Sequence, residues 1–247
     1  MNGRNGFIGL LMAGTAWAAD HPAELHWSQA VAVSVPVSGV VERVAVQPGQ
    51  TVRQGELLLA LDATVYQAAV LEARADIERL TEDAAEARRD LDRVKELYAR
   101  TVSSTTELDA AKLRQARAQA QLAAAQARLE RARRQLAETE LRAPFDALVT
   151  DRQAEPGLVV AAQCQPPALL TLAHAGEILA RARLTPAQAA GVRIGAAASV
   201  QAGGRSLSGR IVALRYAAGE RPAYWVEVAV PRAPGLMAGQ AASIRLP

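Results

Sequence analysis

Cysteine is almost missing from this chain: Cys164 is the only one in 247 residues. A single cysteine forms no disulfide within the chain and completes no zinc site with other cysteines. It reads as a small buried hydrophobe. Aromatic residues make up 4% of the chain, too few for the stacking platforms of single-strand nucleic-acid binders. The net charge is +3 with a pI of 9.4, which supplies no strong phosphate-binding field. No nucleic-acid partner is expected. Catalytic patterns are lacking too. No HExxH, no GxSxG and no phosphate-binding glycine loop occurs. Only Lys95 and Lys112 carry a primary side-chain amine. Downstream of the first residues, no run reaches the ~18 apolar residues of a membrane-spanning helix.

What is present begins with a leader. MNGRNGFIGLLMAGTAWAAD has a basic Arg4, an apolar run from Phe7 to Ala13 and a small-x-small site at Ala16-Trp17-Ala18. This is the form of a cleavable secretory signal over residues 1–18. No cysteine follows Ala18, so no lipid anchor is indicated. The mature chain should be soluble and exported.

Four zones follow. Gln29 to Asp62 alternates and is rich in valine, which favours strands, with turns at Pro48-Gly49 and Gln54-Gly55. A helical zone runs from about Thr64 to Glu140, interrupted by TVSSTT. Strand character returns at LRAPFDALVTDRQAEPGLVVAAQ, with Pro144 placed to end the returning helix. From Glu177 to Pro247 the chain is again strand-like, with one short helical piece at TPAQAAGV.

The helical zone carries the sharpest periodicity. Val70, Ile77, Ala84, Leu91 and Tyr98 stand seven apart, and Ala73, Leu80, Ala87 and Val94 form a second row three residues later. The second arm repeats the pattern with Leu108, Gln115, Leu122, Leu129 and Leu136, and with Ala111, Ala118, Ala125, Ala132 and Thr139. Such a/d stripes specify a coiled coil, and the short linker makes the arms antiparallel neighbours. An intermolecular coiled coil or part of a bundle would show the same stripes. The lack of a third amphipathic helix argues against the bundle. Residues 63 to 140 contain 14 acidic and 14 basic side chains, so the stalk as a whole carries neither sign.

A weak repeat brackets the stalk. GVVERVAVQPGQTV from Gly39 lies on ALVTDRQAEPGLVV from Ala147 at an offset of 108 residues. Neither copy is large enough to bury its own face, so the two should pair into one domain.

These pieces, in this order, resemble the periplasmic adaptor proteins of Gram-negative tripartite efflux pumps, also called membrane fusion proteins. The adaptors of RND-type pumps are most similar. VSGVVERVAVQPGQTVRQGELLLALD looks like the first half of their lipoyl-like domain and LRAPFDALVTDRQAEPGLVV like the second. ILARARLTPAQAAGVRIGAAASV, GRIVAL and APGLMAGQAASIRLP look like their β-barrel. The resemblance implies a mainly β fold: a lipoyl-like β-sandwich interrupted by a long antiparallel coiled coil and followed by a small β-barrel. The expected boundaries are a signal peptide at 1–18, an N-terminal segment at 19–30, lipoyl-like halves at 31–62 and 141–175, the hairpin at 63–140 and the barrel at 176–247. Ala147 stands where the family usually has a glycine. The chain also reads as a short form without a membrane-proximal domain.

The resemblance also implies partners and a site. In this family the hairpin tip meets an outer-membrane channel through an Arg, a Leu and a Ser at fixed spacing, matched here by Arg93, Leu97 and Ser104, with Leu108 and Asp109 behind them. Arg93 offers a rigid fork of donors. The alternative is a solvated helix charge pairing with Glu96 or Asp90. Leu97 lies off the a/d rows, free to act as an apolar knob. Ser104 is either a contact or a helix cap, since Glu107 follows at capping-box spacing. The remaining partners implied are an inner-membrane transporter and further copies of the chain in a ring, six by family likeness. Location would be the periplasm, held to the inner membrane through the transporter.

No enzymatic role is expected. A lipoyl or biotin group needs a lysine on a strand turn, and both lysines lie in the stalk. His21 and His26 read as solvated, His174 as a loop or barrel-edge residue, Asp146 as a structural turn acid and Met237 as a core residue. No metal or cofactor is implied. Two other readings remain: an adaptor for an ATP-driven exporter, and a secreted coiled-coil protein that bridges partners without transport.

Overall fold

The computed structural model describes residues 20–163, 167–218 and 222–247. The signal read at 1–18 and Cys164 lie outside the described residues. The chain runs β1 (Asp20–Trp27), β2 (Val31–Val33), β3 (Gly39–Val44), β4 (Thr51–Val52) and β5 (Leu57–Leu61), then the helices α1 (Thr64–Ala99) and α2 (Thr105–Ala137). It continues with β6 (Glu140–Arg142), β7 (Ala147–Arg152), β8 (Val159–Val160), β9 (Leu170–His174), β10 (Glu177–Leu184), the short α3 (Pro186–Ala189), β11 (Ala197–Ala202), β12 (Arg205–Ala217), β13 (Ala223–Pro231) and β14 (Ala241–Arg245). Two compact units result, residues 30–173 and residues 20–29 with 174–247.

The first unit is a sandwich of two four-stranded sheets, ordered β2-β9-β7-β4 and β6-β5-β3-β8. The sequence repeat builds it. β3 of the first copy pairs with β8 of the second, and β4 of the first with β7 of the second. The cross-connections obey the 108-residue offset. Gly49 N–H donates to the Val149 carbonyl and Gly157 N–H to the Val41 carbonyl, both at 2.8 Å. Val41 N–H donates to Leu158 and Val149 N–H to Gln50, both at 2.9 Å. Gly49 (φ 88°) and Gly157 (φ 90°) take the left-handed conformation that glycine adopts without penalty. The halves thus lock reciprocally around a core that includes Val41, Val52, Val149 and Val160, all at most 1% exposed. Asp146 accepts the Gln54 N–H at 2.8 Å, the structural turn role expected of it.

The helices leave this sandwich between the two halves. No glycine or proline occurs from 64 to 143, so nothing interrupts helical hydrogen bonding except the tip turn. At the base, the Tyr66 hydroxyl donates to the Ser38 carbonyl at 2.6 Å and ties α1 to the sandwich. With 36 and 33 residues, the arms are about 54 and 50 Å long at 1.5 Å rise per residue. Every position of the four stripe rows is buried or half-buried except Tyr98, which is 39% exposed. The ladder therefore closes at Val94. α1 stops at Ala99, so no further turn covers Tyr98. Two ion pairs fix the register between arms, Asp90 with Arg114 at 2.8 Å and Asp76 with Arg128 at 3.8 Å. Pro144 does not end α2. The helix ends seven residues earlier, at Ala137. Thr139 N–H bonds the Leu136 carbonyl, and the Thr139 carbonyl accepts Leu61 N–H, which draws the chain into the sheet.

The second unit is a closed six-stranded barrel, ordered β1-β10-β13-β12-β11-β14. Residues 19–30, expected to precede the first strand, contain β1, which pairs with both β10 and β14 and closes the ring. Pro22 and a mixed composition hid this strand from a propensity reading. Its alternation decides: Leu25 and His21 are buried at 0% and 9% exposure, while Pro22 and Glu24 are exposed. His21 is therefore not the solvated residue expected. Met237 also departs from expectation: Leu236 takes the core position, and Met237 stands 51% exposed. His174 lies at the end of β9, its Nδ1 accepting Gly176 N–H.

On the outer wall of the barrel Glu227 is 3% exposed, covered by arginines from the strands on either side. Its Oε1 accepts from Arg181 Nε (3.1 Å) and Nη2 (2.8 Å), and its Oε2 from Arg215 Nη2 (3.0 Å). Removing the carboxylate charge leaves two guanidinium groups facing each other across β13. Glu227→Gln is expected to destabilise the barrel by about 2 kcal/mol, below the full figure for a buried pair because both arginines reach solvent. Urea unfolding followed by tryptophan fluorescence measures it.

Candidate docking tip of the helical hairpin

The tip is set by two end motifs. At the end of α1, Val102 N–H donates to the Leu97 carbonyl (3.0 Å) and Thr101 N–H to the Tyr98 carbonyl (2.9 Å). With Thr101 at φ 59°, this is a Schellman closure, normally built on glycine. The motif brings the residue after the left-handed position onto the helix's last turn, and here it sets Val102 beside Leu97. At the start of α2 the capping box foreseen for Ser104 is formed. Ser104 Oγ accepts Glu107 N–H (3.2 Å) and Glu107 Oε2 accepts Ser104 N–H (2.9 Å). The Ser103 hydroxyl also donates to Glu107. The Ser103 hydrogen bond, followed by the Ser104 backbone N–H, holds the Glu107 carboxyl below its ordinary range. A carboxyl so shifted supports the cap above its unfolded pKa and releases it as pH falls through the lower folded one. The tip geometry is thus constant across neutral pH.

Thr101 is a β-branched residue in a left-handed conformation, which is uncommon and strained. Thr101→Gly is expected to raise stability by about 1 kcal/mol, read by helical circular dichroism during thermal unfolding.

Between the arms below the turn lies a shallow groove of about 320 Å³. Val94, Leu97, Val102 and Ala110 form its apolar walls, with Glu107 and Arg114 at its polar rim. Leu97 is 38% exposed and Val102 72%. Of the residues read from the sequence, Leu97 lines this groove. Arg93 lies one turn earlier on α1, off the groove, with its side chain 72% exposed and its guanidinium on Asp90. Asp90 takes Arg114 as well, and these hydrogen bonds, Arg114's foremost, hold its carboxyl below the ordinary range. Ser104 is exposed, with its side chain engaged in the cap. Leu108 is half-buried in the stripe, and Asp109 is exposed and pairs with Lys112 at 3.0 Å. Sequence reading missed Val102 and Ser103. The signal for Val102 was present, a lone valine in a polar run where a Schellman closure places its apolar contact.

Residues 29–166 match the family model described as CzcB-like, barrel-sandwich hybrid domain. The chain belongs to the CzcB-like family of membrane fusion proteins. This membrane fusion protein has structural likenesses at low identity. The membrane fusion protein Spr0693 from Streptococcus pneumoniae R6 superposes with a TM-score of 0.73 at 13% identity, over 92% of this chain and 97% of that one. A MacA-MexA chimera carrying the Pseudomonas aeruginosa MexA α-hairpin gives 0.68 at 20%, over 92% and 79%. ZneB from Cupriavidus metallidurans gives 0.57 at 20%, over 92% and 96%. At such identities these likenesses speak to the fold. No curated protein sequence matches this membrane fusion protein. Among its described residues no helix is long and apolar enough to cross a membrane, and no three His, Cys, Asp or Glu side chains gather as metal ligands.

Proposed function

We propose that the chain is a periplasmic adaptor subunit that couples an inner-membrane efflux transporter to an outer-membrane channel without performing chemistry. The observation that carries this reading is the hairpin: two uninterrupted arms issue from between the halves of a sandwich and end in an exposed turn. Reach is the property such a stalk supplies, and its far end is where a partner meets it. Arg93, Leu97 and Ser104 are the channel contacts in this reading, backed by Leu108 and Asp109. Leu97 and Val102 supply apolar area, Arg93 an exposed charged fork and Ser104 a small surface that lets a partner helix approach.

The transporter-facing end is assigned to the barrel, whose exposed Ile194 and Val212 adjoin where Gly195 N–H donates to the Ile211 carbonyl. Copies associate side by side through their sandwiches into a ring, six by likeness to the family. Val40 and Val159 support this: they stand opposite each other in the β3–β8 register, 43% and 70% exposed, and β8 is the open edge strand of their sheet. The test is co-purification of transporter and channel with the tagged chain from native membranes. Arg93→Asp, Leu97→Ser and Ser104→Arg should each release the channel and keep the transporter. Undiminished channel capture by all three variants overturns the tip assignment.

A further inference from the structure

The neutral total of the stalk conceals a division. α1 carries nine acidic and six basic side chains, whereas α2 carries three and seven. The division persists after the ion pairs within the chain are formed. Among the described residues α1 keeps five acids without an ion-pair partner, Glu72, Glu78, Glu82, Glu86 and Glu96, against two such arginines, Arg74 and Arg89, whereas α2 keeps three such arginines, Arg117, Arg131 and Arg134. The three acids of α2 are all engaged, Glu107 in the cap, Asp109 with Lys112 and Glu130 with Arg133.

Spacing arranges these charges in columns. Asp76 and Asp90 are 14 residues apart, as are their partners Arg128 and Arg114. Two heptads return a coiled-coil residue to the same flank, so these pairs form a ladder along one broad side of the hairpin. Glu72 and Glu86 share that spacing and lie four residues before the aspartates. Arg131 and Arg117 lie three residues after the ladder arginines. On the wheel these four fall just behind the ladder columns, on the same broad side but at the outer edges. All four are exposed. Because Asp90 lies level with Arg114 and Asp76 with Arg128, Glu86 lies level with Arg117 and Glu72 with Arg131. At each of two heights the hairpin therefore presents two acids followed by two arginines.

We propose that the outer edge of α1 docks on the outer edge of α2 of a second copy, pairing Glu86 with Arg117 and Glu72 with Arg131 across the junction. This rests on the side-by-side association proposed above and gives it direction. The contact is heterologous, so repeating it by rotation closes a ring rather than ending at a dimer. Identical hairpins standing parallel put each acid at the height of its partner without axial shift. Arg79 and Arg93 share the column of Glu72 and Glu86 but are tied to aspartates of their own helix, and in parallel copies an α1-to-α1 contact sets Glu72 and Glu86 each level with its own duplicate, which disfavours that alternative.

Two double variants test this in the full chain by sedimentation over a concentration series at low and high salt. Glu72→Arg with Glu86→Arg makes both edges basic. Arg117→Glu with Arg131→Glu makes both acidic. Each keeps good helix formers and places the new charge within a turn of an opposite one, so folding should be preserved, as circular dichroism would verify. Each variant alone should self-associate at least about tenfold more weakly than wild type, and the equimolar mixture should recover the wild-type level, because each altered edge then meets its complement. High salt should weaken the wild-type assembly. Wild-type association with both variants unaffected overturns the edge pairing and leaves the ring reading standing. Weakened variants that fail to rescue each other also overturn it. A wild-type chain monomeric at every concentration overturns the ring reading itself.

Discussion

Leu97→Asp combined with Val102→Asp should abolish channel capture while leaving the hairpin folded. Both side chains are substantially exposed, so the free protein loses little when they change. Their cost appears only when a partner covers them. Burying one such side chain stabilises a complex by about 1.5–3 kcal/mol, and a carboxylate left unpaired in the interface adds a desolvation penalty. Two together should weaken binding at least about a thousandfold, since each 1.4 kcal/mol is a factor of ten. The backbone of the turn is insulated from the change, because the Schellman bonds use main-chain atoms and the cap uses Ser104 and Glu107. Affinity for the purified channel, measured with thermal unfolding of the same samples, decides the matter. Retained affinity in a folded double variant removes Leu97 and Val102 from the contact.

The tip also shows where sequence reasoning reached its end. The two arms were legible because burial repeats every seven residues and because glycine and proline are missing from 64 to 143. The sandwich was legible because the chain states it twice. What the spacing of Arg93, Leu97 and Ser104 did not convey is how each side chain is engaged. Arg93 and Arg114 share Asp90 from different helices, a contact spanning the turn that no local window contains. Ser104 forms the helix cap foreseen for it and stays exposed. Val102 was passed over because its neighbours are polar and Thr101 is not the glycine that marks a helix end.

The barrel was the least legible part, for reasons that lie in individual strands. Closure depends on β1, whose eight residues, DHPAELHW, contain one proline, two acids and no β-branched residue. Strand propensity counts against it, and the tertiary pairing to β10 and β14 overrides that. Glu227 looks like a surface residue on an alternating strand, and becomes buried only because Arg181 and Arg215 come from different strands to cover it. Buried charge of this kind is invisible without the register. The divided charge of the hairpin was hidden differently: counting over both arms cancelled it, and only the pairing of Asp90 with Arg114 gives the columns their heights.

Gly209→Ala is expected to destabilise the barrel by about 3 kcal/mol, since no other glycine of the described residues would set a Cβ so close to its neighbours. A glycine inside a strand ordinarily weakens it, and replacement by alanine would then help. Here the neighbours forbid it. A Cβ on Gly209 would lie 2.6 Å from the Ala229 carbonyl oxygen, 2.6 Å from Val230 Cγ1 and 2.7 Å from Val228 Cγ1. The two valines are buried at 1% and 0% exposure and have no free space to turn into. The carbonyl belongs to β13, which is hydrogen-bonded on both sides to β10 and β12. Relief therefore requires the β12–β13 pair to part, in a closed barrel that transmits any such shift around the ring. Gly191→Ala is the matched control, since nothing lies within 4 Å of its Cβ position and its φ is not left-handed; it should be neutral or slightly stabilising. The readout separates the two units. Trp27 and Trp225 lie in the barrel unit and residues 30–173 contain no tryptophan, so fluorescence follows the barrel while far-ultraviolet circular dichroism follows the hairpin. Gly209→Ala should lower the fluorescence midpoint by more than about 10 °C for a unit of this size and leave the helical transition in place. Equal midpoints for Gly209→Ala and Gly191→Ala would mean that β12 and β13 do not approach each other as closely as the barrel requires.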